Sequence, residues 1–248
     1  MFDLFEIEHF GKHIKGDIMI LNERQSNILD YLNEHSQASV HKLAAHFFVS
    51  EMTIRRDLKK MEQAGYLHRY NGGATKHAQN ETLPFDARKL LHADQKAAIA
   101  NAVRPFLRDS LSVFIDSSAT CTYVIPLLSE YRDIRIVTNS LNACVIAAEY
   151  HIPCTIAGGM VYEKDLCAVG AETVEFLRAI NVNIAFFSSY AISSEGLITD
   201  NDSEQTAIRR CVLKNCQQSI VLLNESKCNK TCLYTFCHSN DVTRVIFI

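Results

Sequence analysis

The sequence predicts an α/β protein in two parts: a small three-helix module closed by a β-hairpin, then a larger Rossmann-like domain on a mostly parallel sheet. Three observations predict it. Apolar residues recur at helical spacing through residues 22–61, an alternating stretch around Asn71-Gly72 follows at once, and from residue 93 short apolar runs alternate with amphipathic helices. A length of 248 residues suits one large or two ordinary domains, and 48% hydrophobic with 21% charged residues is enough to fill a core.

Composition excludes several classes. No run reaches the roughly 20 apolar residues of a membrane span, so no membrane partner is expected. The balance of 25 basic to 28 acidic residues argues against a generally polycationic chain. The charge is unevenly divided, however: residues 22–76 carry +2 and the remainder −5. Nine cysteines, an odd number, all lie from Cys121 onward, and the N-terminus has neither a basic nor an apolar signal segment. These features predict a cytoplasmic protein with free thiols.

Residues 1–18 carry no capping signal and are interrupted by Gly11 and Gly16. They are expected to be a flexible arm or a non-native extension. In the second case Met19 is the natural start, since Lys15-Gly16-Asp17 can be encoded by a ribosome-binding sequence.

The module is expected over residues 19–76. Asn22 and Gln25 form a capping-box pair for a first helix with Ile28, Leu29 and Leu32 on one face. Ser39 caps a second helix with Val40, Leu43, Ala44 and Phe47 at i, i+3, i+4 and i+7. After Phe48-Val49, Ser50 caps a third, whose apolar face is Ile54, Leu58 and Met61. Two short helices at this separation, the later one basic outside, have the arithmetic of a helix-turn-helix. Ser50 and Thr53 are placed to anchor the DNA backbone, Glu51, Met52 and Arg55 or Arg56 to face bases, and Lys59 to extend the basic face. The hairpin over 66–75 makes the module winged, with Arg69, Asn71, Gly72 and Gly73 at its tip.

Val49-Ser50-Glu51-Met52-Thr53-Ile54-Arg55-Arg56-Asp57-Leu58 resembles the V-S-x-x-T-I-R-R-D-L core of DeoR-type bacterial transcription regulators. Gly65-Tyr66-Leu67-His68-Arg69-Tyr70-Asn71-Gly72-Gly73-Ala74 resembles their wing, with Asn71 at a usual histidine. The resemblance implies that the module binds double-stranded operator DNA.

Residues 77–92, with Pro84, are expected to be the linker, and 93–248 the larger domain. Strands are predicted at Leu111–Ile115, Ile134–Val137, Ile184–Phe187, Ser219–Leu223 and Arg244–Ile248. Helices are predicted after Thr120 through Leu128, over Leu141–Tyr150 and Gly170–Ile180, and over Ser203–Cys216. In such sheets ligands gather at the carboxyl ends of strands. Asp116, Ser117, Ser118 and Thr120 form one polar loop there, and Thr138, Asn139 and Ser140 a second. Gly158 and Gly159 permit close backbone approach, and Lys227 supplies a cation. Together they suit a small phosphorylated, hydroxyl-rich ligand.

The family resemblance extends over about residues 22–248. It implies a sensor domain resembling sugar-phosphate isomerases and a phosphorylated-sugar effector, and it adds Glu204 to the matching positions. The first loop departs from the usual D-x-G-T-T and resembles the fucose-operon activator branch; Asn183 and Asn224 replace acidic residues. Repression is the expected mode, with activation the alternative. Paired half-sites imply at least a dimer. No cofactor and no metal are expected.

Three rival readings attach to particular residues. An isomerase-like enzyme would use Lys227 with Glu204 or Asp116, but the amides at 183 and 224 cannot transfer protons at neutral pH, so no catalysis is expected. Cys228, Cys232, Cys237 and His238 lack tight zinc spacing and are read as apolar filler. Cys121, at a helix start beside the anion loop, is the place where a stabilised thiolate could sense oxidants.

Overall fold

The computed structural model describes residues 21–76, 85–163 and 165–247. The N-terminal arm, Met19 and the linker through Pro84 lie outside the described residues. The chain divides between Leu91 and His92 into two compact units.

The smaller unit holds helices α1 (Glu23–His35), α2 (Val40–His46) and α3 (Glu51–Gln63). Each starts on the cap that its sequence provides. Gln25 N donates to Asn22 Oδ1 at 3.0 Å and Asn22 N to Gln25 Oε1 at 3.1 Å; Ser39 and Ser50 accept from the third amide of their helices. Ile28, Leu32, Leu43, Ile54, Leu58 and Met61 make its core. Helix α2 stops one residue earlier than expected, with Phe47 at its C-cap and packed against that core. The hairpin strands β2 (His68–Tyr70) and β3 (Gly73–Thr75) are joined by β1 (Gln37–Ser39), and β3 is central. The pattern did not indicate β1, since three residues are too few to show alternation.

The larger unit is built on a six-stranded parallel sheet, in the order β14-β12-β9-β4-β5-β6. Its strands are β4 (Ser112–Ile115), β5 (Arg135–Thr138), β6 (Cys154–Ile156), β9 (Val182–Phe187), β12 (Cys216–Leu223) and β14 (Arg244–Phe247). Both faces are covered, so neighbouring residues feed different cores. Val113, Ile115, Ile184, Phe186, Ile220 and Leu222 point to one, and Phe114, Ala185, Phe187, Val221 and Leu223 to the other. Growth of the sheet reverses between β4 and β9, which makes their carboxyl ends the switch point.

Four local differences from the sequence expectations have physical reasons. The helix expected through Leu128 is two short turns, α6 (Ala119–Thr122) and α7 (Ile125–Leu128), because Pro126 has no N–H to continue the first. Helix α10 (Ser203–Leu213) ends before Cys216, whose backbone instead pairs with Val182 in the sheet. Strands β10 (Ala191–Ile192), β11 (Leu197–Asp200) and β13 (Tyr234–His238) form an antiparallel sheet that the βα alternation did not reveal. So did β7 (Met160–Tyr162) and β8 (Cys167–Val169), a short hairpin. The remaining helices are α4 (Phe85–Leu90), α5 (Ala93–Asn101), α8 (Leu141–Glu149) and α9 (Ala171–Arg178).

Candidate DNA interface and effector site

Helix α3 separates its faces cleanly. Ile54, Leu58 and Met61 are buried, while Met52, Arg55, Arg56 and Lys59 are exposed. Its start is rigid: Thr53 N donates to Ser50 Oγ at 3.2 Å, and the two hydroxyls lie 2.9 Å apart. Glu51 is held between His41 Nδ1 at 3.4 Å and Arg55 Nη2 at 3.3 Å. Arg69 is tied to α3, its backbone N–H and guanidinium both donating to Glu62. Asn71 and Gly72 are exposed at the turn, where Gly72 adopts φ +97°. Gly73 is buried instead. A Cβ there would collide with the Ala38 carbonyl and the Tyr70 ring, so its identity is set by packing.

Sequence reasoning missed Asp57. It is buried on the inner face of α3 and accepts from Arg24 Nε at 2.7 Å and Gln25 Nε2 at 3.0 Å, fixing α3 against α1. The available signal was an acidic residue at i+3 from Ile54, on the apolar face.

At the switch point the structure brings Asp116 together with Lys227 and with residues the sequence did not flag. Asp116 is buried with both oxygens engaged: Oδ1 accepts from Ser118 N at 2.8 Å, Oδ2 from Ser188 N at 2.9 Å and Arg209 Nε at 3.2 Å. Arg209 also donates to Asp200 Oδ2 at 2.7 Å, and Ser189 Oγ to the Thr199 carbonyl at 2.8 Å. Lys227 Nζ donates to the Ser189 carbonyl at 2.6 Å and stands 5.5 Å above the Tyr190 ring. Ser117 Oγ donates to Gln205 Oε1 at 2.9 Å. A charge on the inner face of α10, at i+1 from Ile208 and i−3 from Val212, was the signal for Arg209.

The second loop is fully buried. Thr138 Oγ1 donates to the Ile115 carbonyl at 2.6 Å, and Ser140 caps α8 through Ala143 N at 3.2 Å. Asn139 Nδ2 donates to the Ala168 carbonyl at 3.0 Å, while its Oδ1 is the one buried side-chain oxygen without a partner among the described residues. Such an orphan acceptor fits a bound donor such as a hydroxyl. Thr120 is half-buried behind the Ser118 cap. Gly159, at φ +147°, faces Thr173, whose Oγ1 donates to the Gly158 carbonyl at 2.7 Å; Gly158 has open space around it. Glu204 stands in the first turn of α10, near Tyr162.

A cleft of about 750 Å³ at the opposite end of the sheet contains none of the predicted effector residues. Tyr150 and His151, at the carboxyl end of α8, line it, and the carbonyls exposed there disfavour an anion.

The thiol expectation is corrected. Cys121 is fully buried, and burial with the neighbouring Asp116 pushes its thiol well above 9.0, so no stabilised thiolate forms. In the Cys228–His238 segment Cys237 is buried, and both ring nitrogens of His238 have partners, at Glu195 O and Asn240 N.

Comparison with known proteins matches residues 24–80 to the DeoR-like helix-turn-helix domain and residues 91–247 to the DeoR C-terminal sensor domain. The chain is 29% identical over 227 residues to the L-fucose operon activator of Escherichia coli K12, covering 90% of this chain and 93% of that one. It is 28% identical over 230 residues to a helix-turn-helix regulator of Bacillus subtilis 168, covering 92% and 89%. It is 26% identical over 208 residues to the glycerol-3-phosphate regulon repressor of E. coli K12, covering 83% and 82%. Among solved structures, ribose-5-phosphate isomerase A of Methanocaldococcus jannaschii is 18% identical, with a TM-score of 0.41 over 55% of this chain and 54% of that one.

Proposed function

From the premise that the chain belongs to the DeoR family of transcriptional regulators, we propose how it works as a DNA-binding regulator of a carbohydrate-utilisation operon. Helix α3 enters the major groove with Met52, Arg55 and Arg56 toward the bases; Ser50, Thr53, Lys59 and the wing residues Arg69, Asn71 and Gly72 position it on the backbone. The observation that carries this reading is the division of α3 into a buried apolar face and an exposed basic face behind a capped start.

A small phosphorylated sugar binds at the carboxyl ends of the parallel strands. The orphan Asn139 Oδ1 supports a hydroxyl there, and Lys227 with the loop amides supports an anion. Arg209 is already matched by two carboxylates, and Asp116 has no unoccupied oxygen, so both hold the loops in place. That occupancy, with amides at 183 and 224, also speaks against catalysis. The effector acts by binding the DNA-competent and incompetent states unequally. The protein acts in the cytoplasm as at least a dimer, assembled through the larger domain.

Repression is the mode we favour; the fucose-like first loop and the activator relative support activation as a second reading. Operator fragments from the protein's own genomic neighbourhood, titrated with the full chain, test the first claim. Binding that is lost in both Arg55→Ala and Arg56→Ala supports it, and intact affinity in both rejects the α3 assignment. Thermal shifts with phosphorylated sugars test the second, and in vitro transcription from the bound promoter separates repression from activation.

A further inference from the structure

The parallel sheet ends on one side at β6, and among the described residues no strand pairs with the outer side of that strand. Two hydrogen bonds to β5 fix which backbone groups this leaves open. The Pro153 carbonyl accepts from Ile136 N at 2.9 Å, and Ala157 N donates to the Thr138 carbonyl at 2.8 Å. Residues 153, 155 and 157 therefore bond inward, and the alternation of a strand turns the N–H and C=O groups of Cys154 and Ile156 outward, away from β5. Proline often blocks an edge because it lacks an N–H, but Pro153 faces β5 and leaves the outer edge intact.

The side chains suit an edge that becomes covered. Residues 152–162 include no charged residue. Within them Ile156 on β6 and Met160 and Val161 on β7 are exposed, the last two by 63% and 50%, and only three residues separate the two strands. The other edge of the sheet differs, since β14 opens on the exposed Arg244. A charge is the usual device that keeps an edge from pairing, and β6 has none.

We propose that β6 pairs with β6 of a second copy of this chain, antiparallel across a twofold axis at Thr155. The proposal rests on the reading of the protein as a dimer built on its larger domain, and it names the surface. The edge is its own complement. With Thr155 facing Thr155 of the partner subunit, Cys154 exchanges N–H···O=C bonds with Ile156 of the partner subunit, and Ile156 does so with the partner's Cys154. The two sheets become one, and Met160 and Val161 flank the join. Because residues 152–162 are uncharged, the copies meet without like-charge repulsion, whereas a charged partner would find no counter-charge there. Paired operator half-sites call for the same twofold symmetry.

The test uses the full chain at micromolar concentration, with its mass read by light scattering during gel filtration. The wild type is expected at a multiple of the chain mass, and Ile156→Asp and Val161→Asp at half the wild-type mass with unchanged circular dichroism. Leu233→Asp, at an exposed residue outside the patch, should keep the wild-type mass. Thr155→Cys leaves the edge intact, and mild oxidation should link two copies through residue 155, seen as tryptic peptide 136–164 joined to itself. An oligomeric wild type whose Ile156→Asp and Val161→Asp variants keep its mass would overturn the surface and leave the dimer reading standing. A monomeric wild type would overturn both. Failure of Thr155→Cys to link would overturn the twofold pairing, whatever the aspartate variants do.

Discussion

Arg209 Nη1 donates to Asp200 Oδ2 at 2.7 Å inside the larger unit, with both residues buried. Through its Nε the same guanidinium holds Asp116, so one side chain ties the antiparallel sheet to the end of β4. Removing it strands two buried carboxylates. Arg209→Met should destabilise the larger unit by about 3–5 kcal/mol, read by denaturant unfolding. A loss under about 1 kcal/mol would show that the network adds little.

The same network sets an acid limit. Burial alone would raise the Asp200 carboxyl; Arg209 and Lys227 outweigh it, and the net shift is downward. With the folded pKa below the unfolded value, stability from this group is present above pH ~4 and is lost as pH falls through the folded pKa. Thermal melts between pH 6 and pH 3 should fall steeply at the acid end, and that dependence should flatten in Asp200→Asn. Parallel curves for the two proteins would remove Asp200 as the source.

What could be read in the chain divides along physical lines. Caps and short-range periodicity announced α1, α2, α3 and the hairpin, because those signals lie within a few residues of the structure they determine. Five of the six parallel strands were visible as apolar runs; β6, three residues with a burial pattern that is mostly exposed, was not. Asp57, Asp200 and Arg209 were not, because their partners stand 32, 9 and 93 residues away and only the fold brings them together. Sequence placed Asp116 as a ligand group for the same reason: nothing local reveals that Arg209 and Ser188 already occupy it.

Substitution of Asp57 should act on stability rather than on DNA contact. It lies among the recognition-helix residues but faces inward, to Arg24 and Gln25. Asp57→Asn keeps the shape and removes the charge, and should lower the stability of the smaller unit by about 1–3 kcal/mol. Operator affinity measured well below the melting temperature should change less than in Arg56→Ala. A greater affinity loss with unchanged stability would reassign Asp57 to the interface.

Phe48 occupies the turn before α3 at φ 54° and is 94% exposed. A left-handed backbone is strained for phenylalanine and easy for glycine, and here no packing offsets the strain. Phe48→Gly should therefore raise stability by roughly 0.5–1 kcal/mol, after allowing for the added freedom of glycine in the unfolded chain. Destabilisation would mean that the ring makes contacts that the isolated chain leaves exposed.

Substitution of the two wing glycines should cost stability for different reasons. Gly72 has open space and φ +97°, so Gly72→Ala meets only backbone strain, about 1 kcal/mol. At Gly73 a methyl group runs into the Ala38 carbonyl, which belongs to the strand paired with β3, as well as into Tyr70. The Tyr70 ring can swing outward; the Ala38 backbone cannot move without breaking the β1–β3 ladder. Gly73→Ala should cost about 1–3 kcal/mol and weaken operator binding through a displaced wing. The added substitution Tyr70→Ala relieves only the ring contact and should recover little of that stability. Full recovery would locate the clash in the side chain, and would show that β1 is not what holds the wing.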